Sequence, residues 1–169
     1  MKRFVIIAVL LASLSSFVQA AVTVKDPWVR ATTSFQKSTV AFMQITSSSD
    51  ARLVKADSPV AKMVEIHKMV MKGYTMKMQA VSSIDLPAGK LIELKPDGYM
   101  VMLTGLKQQI KEGDTIPFSI VIEGKDKKLE TIKVDASAIN METAASHKDT
   151  LAHMQDHDNM DEEVHGHMR

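Results

Sequence analysis

Apolar and polar positions alternate along this chain in short runs, and turn residues separate the runs. Val22 and Val24 alternate with polar neighbours ahead of Pro27 and Trp28. That pattern predicts an edge-type first strand with a bend, and Trp28 as a core anchor. Residues 39–46 set Val40, Phe42 and Gln44 against Ala41, Met43 and Ile45, and Ser47-Ser48-Ser49-Asp50 supplies a turn. Residues 51–56 read as a strand ended by Asp57-Ser58-Pro59. Residues 62–71 and 74–81 read as a hairpin about Lys72-Gly73. A loop at 86–89, a short strand at 91–94, a tight turn at 96–98 and a strand at 99–103 follow. Residues 106–110 predict a single helical turn. Residues 115–123 and 128–134 predict a closing hairpin about Gly124-Lys125-Asp126. Strands spaced in this way, with no long helical period between them, predict an all-β sandwich or barrel.

Both ends of the chain depart from this pattern. Residues 1–20 carry Lys2-Arg3, an apolar run from 4 to 14, and Val18-Gln19-Ala20. That is the form of a signal peptide cleaved near Ala20, and its run is too short for a comfortable membrane span. Export to the periplasm, with no stable membrane insertion after cleavage, is expected. The globular domain is expected to fill residues 21–135. From residue 136 large apolar side chains thin out, and five of the six histidines appear: His147, His153, His157, His165 and His167. The stretch reads as a flexible tail rich in His and Met. In a local helix His153, His157 and Met160 share a face. Imidazoles bind Cu(II), zinc and nickel, so the tail is expected to form a second, less selective metal site, with Cu(II) as its ligand.

The stretch from His67 to Met102 changes the picture. It holds the only histidine before residue 147 and six of the 13 methionines. A hairpin turn at Lys72-Gly73 opposes residues whose numbers sum to 145, so that Met71 faces Tyr74, Met69 faces Met76 and His67 faces Met78. All six then share one face. Met100 and Met102, two apart, share a face of the next strand. If that strand lies beside the hairpin, His67, Met78, Met100 and Met102 converge; a slip of one residue would separate them. Thioethers select Cu(I), whereas zinc wants Cys, His or carboxylates in fours, and hard cations want oxygen. Methionine also fills irregular cores, so the same face reads equally as packing. Leu, Ile and Val would serve a β core better, which weakens that alternative.

The 169 residues contain no cysteine, and the net charge is +1. A blue-copper site needs a cysteine and is excluded. No basic patch suggests nucleic acid. Neither a phosphate loop nor a nucleophile elbow is present, and no catalytic residues stand out, so an enzyme is not expected.

Several segments resemble the PCuAC family of periplasmic copper chaperones. They include Trp28-Val29-Arg30-Ala31-Thr32, Val64-Glu65-Ile66-His67-Lys68-Met69, Leu86-Pro87-Ala88-Gly89, Gly98-Tyr99 and Lys111-Glu112-Gly113-Asp114. The resemblance covers most of residues 24–134. The family pattern is a His, ten residues, a Met, twenty-one residues, then His-x-Met. His67, Met78 and Met102 match it, and Met100 stands where the family has its second His. The resemblance implies a cupredoxin-like β-barrel and Cu(I) held by His67, Met78, Met100 and Met102, with a Cu(II)-binding tail. It also implies delivery to cytochrome c oxidase subunit II or to a thioredoxin-like assembly factor. With three thioethers and one imidazole, the site is softer than the family's. Two other readings stay open: a copper or silver buffer without a dedicated recipient, and a β-sandwich interaction module with a Met-rich core.

Overall fold

The structure is a computed structural model that describes residues 21–140. The expected signal peptide, residues 1–20, and the expected tail sites His147, His153, His157, Met160, His165 and His167 lie outside the described residues. The strands, in chain order, are β1 (Val22–Arg30), β2 (Ser38–Ser47), β3 (Ala51–Asp57), β4 (Met63–Lys72) and β5 (Thr75–Ala80). They continue with β6 (Ile84–Leu86), β7 (Leu91–Leu94), β8 (Tyr99–Thr104), β9 (Thr115–Gly124) and β10 (Leu129–Ile139). Among the described residues there is no helix. The expected all-β class is what the chain adopts.

One ten-stranded sheet runs β5-β4-β8-β7-β2-β1-β10-β9-β3-β6, with β8 also pairing with β2. The sheet curls so that β3 and β4, far apart in that order, come into contact. Its concave face packs Val29, Ala41, Met43, Ile45, Leu53, Ile66, Val101, Leu103, Phe118, Ile120 and Ile122 into one core. Pairing is antiparallel nearly throughout; β1 with β10 and β7 with β8 are the parallel contacts between strands.

The bend expected in β1 is a bulge with a large consequence. Val24 pairs with Ile45, but Trp28 pairs with Phe42, so one extra residue enters β1 between Lys25 and Trp28. Asp26 takes a φ of 47°, and Pro27 has no N–H to leave unpaired. An extra residue reverses the alternation. Val22 and Val24 therefore pack against the core, while Trp28 turns to the convex face. Trp28 is thus not the core anchor its sequence position suggested. Its ring lies 4.6 Å from that of Phe42, outside the main core.

Two further expectations are corrected. Residues 106–110 form no helical turn. Their donors are spent on other segments: Leu106 N–H on Lys37 O at 3.0 Å, Lys107 N–H on Val60 O at 3.0 Å, and Ile110 N–H on Thr32 Oγ1 at 3.0 Å. The domain also does not stop at residue 135. Strand β10 continues to Ile139, with Trp28, Val29 and Arg30 pairing with Ser137, Ala138 and Ile139. Ala136 and Ala138 are fully enclosed.

Thr32 ties the loop before β2 to the loop before β9 through buried bonds with Ile110. Thr32→Val keeps the shape but strands the Ile110 N–H. A loss of about 1–3 kcal/mol is expected, read as a lower denaturant midpoint at unchanged slope.

Candidate metal centre

Strands β4, β5 and β8 build the site, and their register decides which side chains share it. His67 pairs directly with Met100, and Glu65 with Met102. The core-facing partners in the same ladder are Ile66 and Val101. His67, Met100 and Met102 therefore stand together on the convex face, as the sequence suggested. Behind them the register is held by Met69 N–H bonding Gly98 O at 2.9 Å and by Lys68 Nζ over the Tyr99 ring at 4.8 Å. A cation over an aromatic face contributes about 0.5–1 kcal/mol at an exposed site.

The hairpin differs from the expected pairing by two residues. Lys72 pairs with Thr75, Met71 with Met76, Met69 with Met78, and His67 with Ala80. Gly73 and Tyr74, rather than Lys72 and Gly73, are the central turn residues. Gly73 has a φ of +63°, while Tyr74 is not among the residues with positive φ. A positive φ at the first central position alone is the type II′ pattern, which places Gly first. A shift of two leaves every side chain on its face. Met78 stays beside the site, diagonal to His67 instead of opposite it. The expected direct His67–Met78 pair is thus replaced by a diagonal one.

Burial grades across this face. Met100 is 4% exposed yet lies outside the main core cluster, as does Phe42. Met102 and His67 are half-buried, and Met78 is 44% exposed. Seven of the eight methionines among the described residues fall on this convex face, the exception being core Met43. Packing in the main core does not account for them.

The His67 ring has two different nitrogens. Nε2 is 3.4 Å from Glu65 Oε2. Nδ1 is buried with no hydrogen-bond partner, and it is the only such side-chain atom among the described residues. An unsatisfied buried polar atom costs about 1–3 kcal/mol, so a native fold that keeps one calls for a reason. A proton on Nε2 toward Glu65 leaves the lone pair on Nδ1, in a ring that shares its strand face with Met100 and Met102. Glu65 was not singled out as a site residue in the sequence. Its signal was its spacing, two residues from His67 and hence on the same strand face.

Among the described residues no three His, Cys, Asp or Glu side chains gather as a metal-binding group. Apart from the Glu65 carboxylate beside the ring, the donors on this face are one imidazole and thioethers, a set matched to a soft ion. A cavity of about 390 Å³ lies elsewhere, lined by Asp50, Arg52, Asp85, Glu123, Lys125 and Lys127 among others. Its charges are paired with one another: Arg52 with Asp85 at 3.4 Å, Lys125 with Asp50 at 2.9 Å and Lys127 with Glu123 at 2.9 Å. The Ala88 N–H and Lys125 hold the Asp50 carboxyl below its ordinary range.

A family match covers residues 22–134, to the family described as "Putative lipoprotein LpqE-like". The chain belongs to the LpqE-like family. That description is one of exported, cell-envelope proteins. Within the curated proteins, this LpqE-like chain is 33% identical over 100 residues to "Putative lipoprotein Lxx21020" of Leifsonia xyli subsp. xyli. The match takes in 59% of this chain and 60% of that one, so the chain spans less than two thirds of its relative's length. Its fold is that of the copper-bound PCuAC domain from PmoF2, at a TM-score of 0.59 and 20% identity over 70% of this chain and 92% of that one. The solution structure of CuI-DR1885 from Deinococcus radiodurans is similar at a TM-score of 0.55. It is 29% identical, covering 77% of this chain and 87% of that one.

Proposed function

We propose that this domain binds copper as cargo, holding Cu(I) on His67, Met78, Met100 and Met102, and that it works as a metallochaperone in the periplasm. The observation that carries the reading is the orphaned Nδ1 of His67, buried on a strand face that also carries Met78, Met100 and Met102. A soft monovalent ion satisfies that lone pair without requiring an anionic ligand. The likeness to a Cu(I)-bound DR1885 supports it. Glu65 keeps the ring oriented and its Nε2 proton in place, the usual service of a carboxylate behind a ligating histidine. Thioethers are neutral and exchangeable, which suits a carrier that must release what it holds. The recipient proposed is the copper centre of cytochrome c oxidase subunit II, reached directly or through a thioredoxin-like factor.

The reading also makes sense of Met100. Where the PCuAC pattern has a histidine, a third thioether removes a protonatable ligand. Cu(I) is favoured further over Cu(II), and binding depends less on pH. A module whose methionines simply pack the core is disfavoured, because seven of the eight lie outside it.

Met102→Leu tests the assignment with little change in volume. Cu(I) affinity, measured anaerobically against a chromophoric Cu(I) chelator, is expected to fall at least about tenfold, the lower end of what even outer groups of metal sites contribute. Unchanged affinity removes Met102 from the site. Transfer of Cu(I) to a candidate acceptor, compared with transfer to chelator alone, separates a chaperone from a buffer.

A further inference from the structure

Beyond Met78 the thioethers continue to the tip of the hairpin. Met69 pairs with Met78 and Met71 with Met76, so four methionines sit as two facing couples on β4 and β5. Val81 N–H bonds Ile66 O at 2.9 Å. Hydrogen-bonded and non-bonded pairs alternate from there, which makes Met69–Met78 and Met71–Met76 the non-bonded kind, with Cα atoms about 4.5 Å apart and side chains closest. Met71 is 69% exposed, Met76 49% and Met78 44%. Strand β5 is a sheet edge, where exposed apolar residues invite aggregation and charge or proline is the usual guard. Methionine in this place calls for a cause other than packing.

We infer that Met69, Met71 and Met76 form a second, all-thioether site for Cu(I) or Ag(I) at the hairpin tip. Met71 and Met76 face each other directly, and Met69 lies diagonal to Met76 on the same face. Unbranched side chains with three rotatable bonds bring three sulfurs from such positions onto one ion. The set contains no nitrogen or oxygen donor, so it excludes Zn(II) and disfavours Cu(II). Met78 stands between this triangle and His67, paired to Met69 and diagonal to the imidazole. The tip thus captures the ion in solvent, and Met78 is the shared neighbour through which it passes inward. The tip site does not depend on the assignment of the His67 site, since it uses none of His67, Met100 or Met102.

The test is titration of the full chain, labelled at the methionine methyls, with redox-inert Ag(I), followed by NMR with each methyl assigned through a Met→Leu variant. The Met69, Met71 and Met76 methyls are expected to shift together, in a step distinct from that of Met100 and Met102. That step should persist in His67→Leu and vanish in the Met71→Leu/Met76→Leu double variant. Three results would each overturn the inference: tip methyls that stay put past saturation, tip methyls that move only in the same step as Met100, or a Met69 response that survives the double substitution. Loss of the Met100 and Met102 response in His67→Leu, with the tip response kept, would separate failure of the inner site from failure of this one.

Discussion

His67→Leu is expected to weaken Cu(I) binding by at least about 100-fold, while the apoprotein becomes no less stable. Outer groups that merely orient a ligand contribute about 10–100-fold to metal affinity, so loss of the sole nitrogen ligand belongs at or above the top of that range. The stability side has the opposite sign from an ordinary core truncation. The wild-type ring keeps Nδ1 buried without a partner, and its other nitrogen has only Glu65 at 3.4 Å. Replacing a buried unsatisfied atom by an apolar group of similar size recovers part of about 1–3 kcal/mol, a rise of a few degrees in Tm for a domain of this size. Anaerobic chelator competition reads the first quantity and calorimetry of the metal-free protein the second. A fall in both would mean that the imidazole is structural.

The second large effect separates fold from site. Phe118 on β9 is 2% exposed and among the largest fully enclosed side chains. Phe118→Ala is expected to cost about 3–5 kcal/mol, a large share of the 5–15 kcal/mol that holds a typical domain together. Strand β9 pairs with β3 and β10, whereas the sulfur-rich face belongs to β4, β5 and β8. The fraction that stays folded should therefore bind Cu(I) with near wild-type affinity. Denaturation midpoints and Cu(I) competition on the same sample check both halves. Equal losses in the two would show that the site is coupled to the far side of the core.

Much of this was legible because β alternation has a period of two. Placing His67, Met69, Met71, Met76 and Met78 on one face needs only parity. Parity survived the real hairpin turn, which moved the pairing by two residues. Which two residues form the turn was not legible, because Lys72-Gly73 and Gly73-Tyr74 are both acceptable turns until the sign of each φ is known. The same arithmetic failed at Trp28, where an odd insertion at Asp26-Pro27 reverses the face, and a bulge leaves little trace in composition. Ala136 and Ala138 read as tail because small side chains give a weak periodic signal, yet small is what the covered core edge beside Val29 requires. Residues 106–110 read as a turn of helix because their apolar ends are four apart. Their backbone donors instead answer to Lys37, Val60 and Thr32, partners far away in the chain. Glu65 was visible only as a neighbour, since its importance lies in which ring nitrogen it leaves free.

X-ray absorption of the chain ending at Asn140, which keeps all ten strands, loaded anaerobically with less than one equivalent of Cu(I), decides the matter most directly. A first shell dominated by sulfur with a single imidazole nitrogen is the expected result. A shell of nitrogen and oxygen alone, or of sulfur with no imidazole, would contradict the assignment of His67 and its thioether neighbours as the copper site.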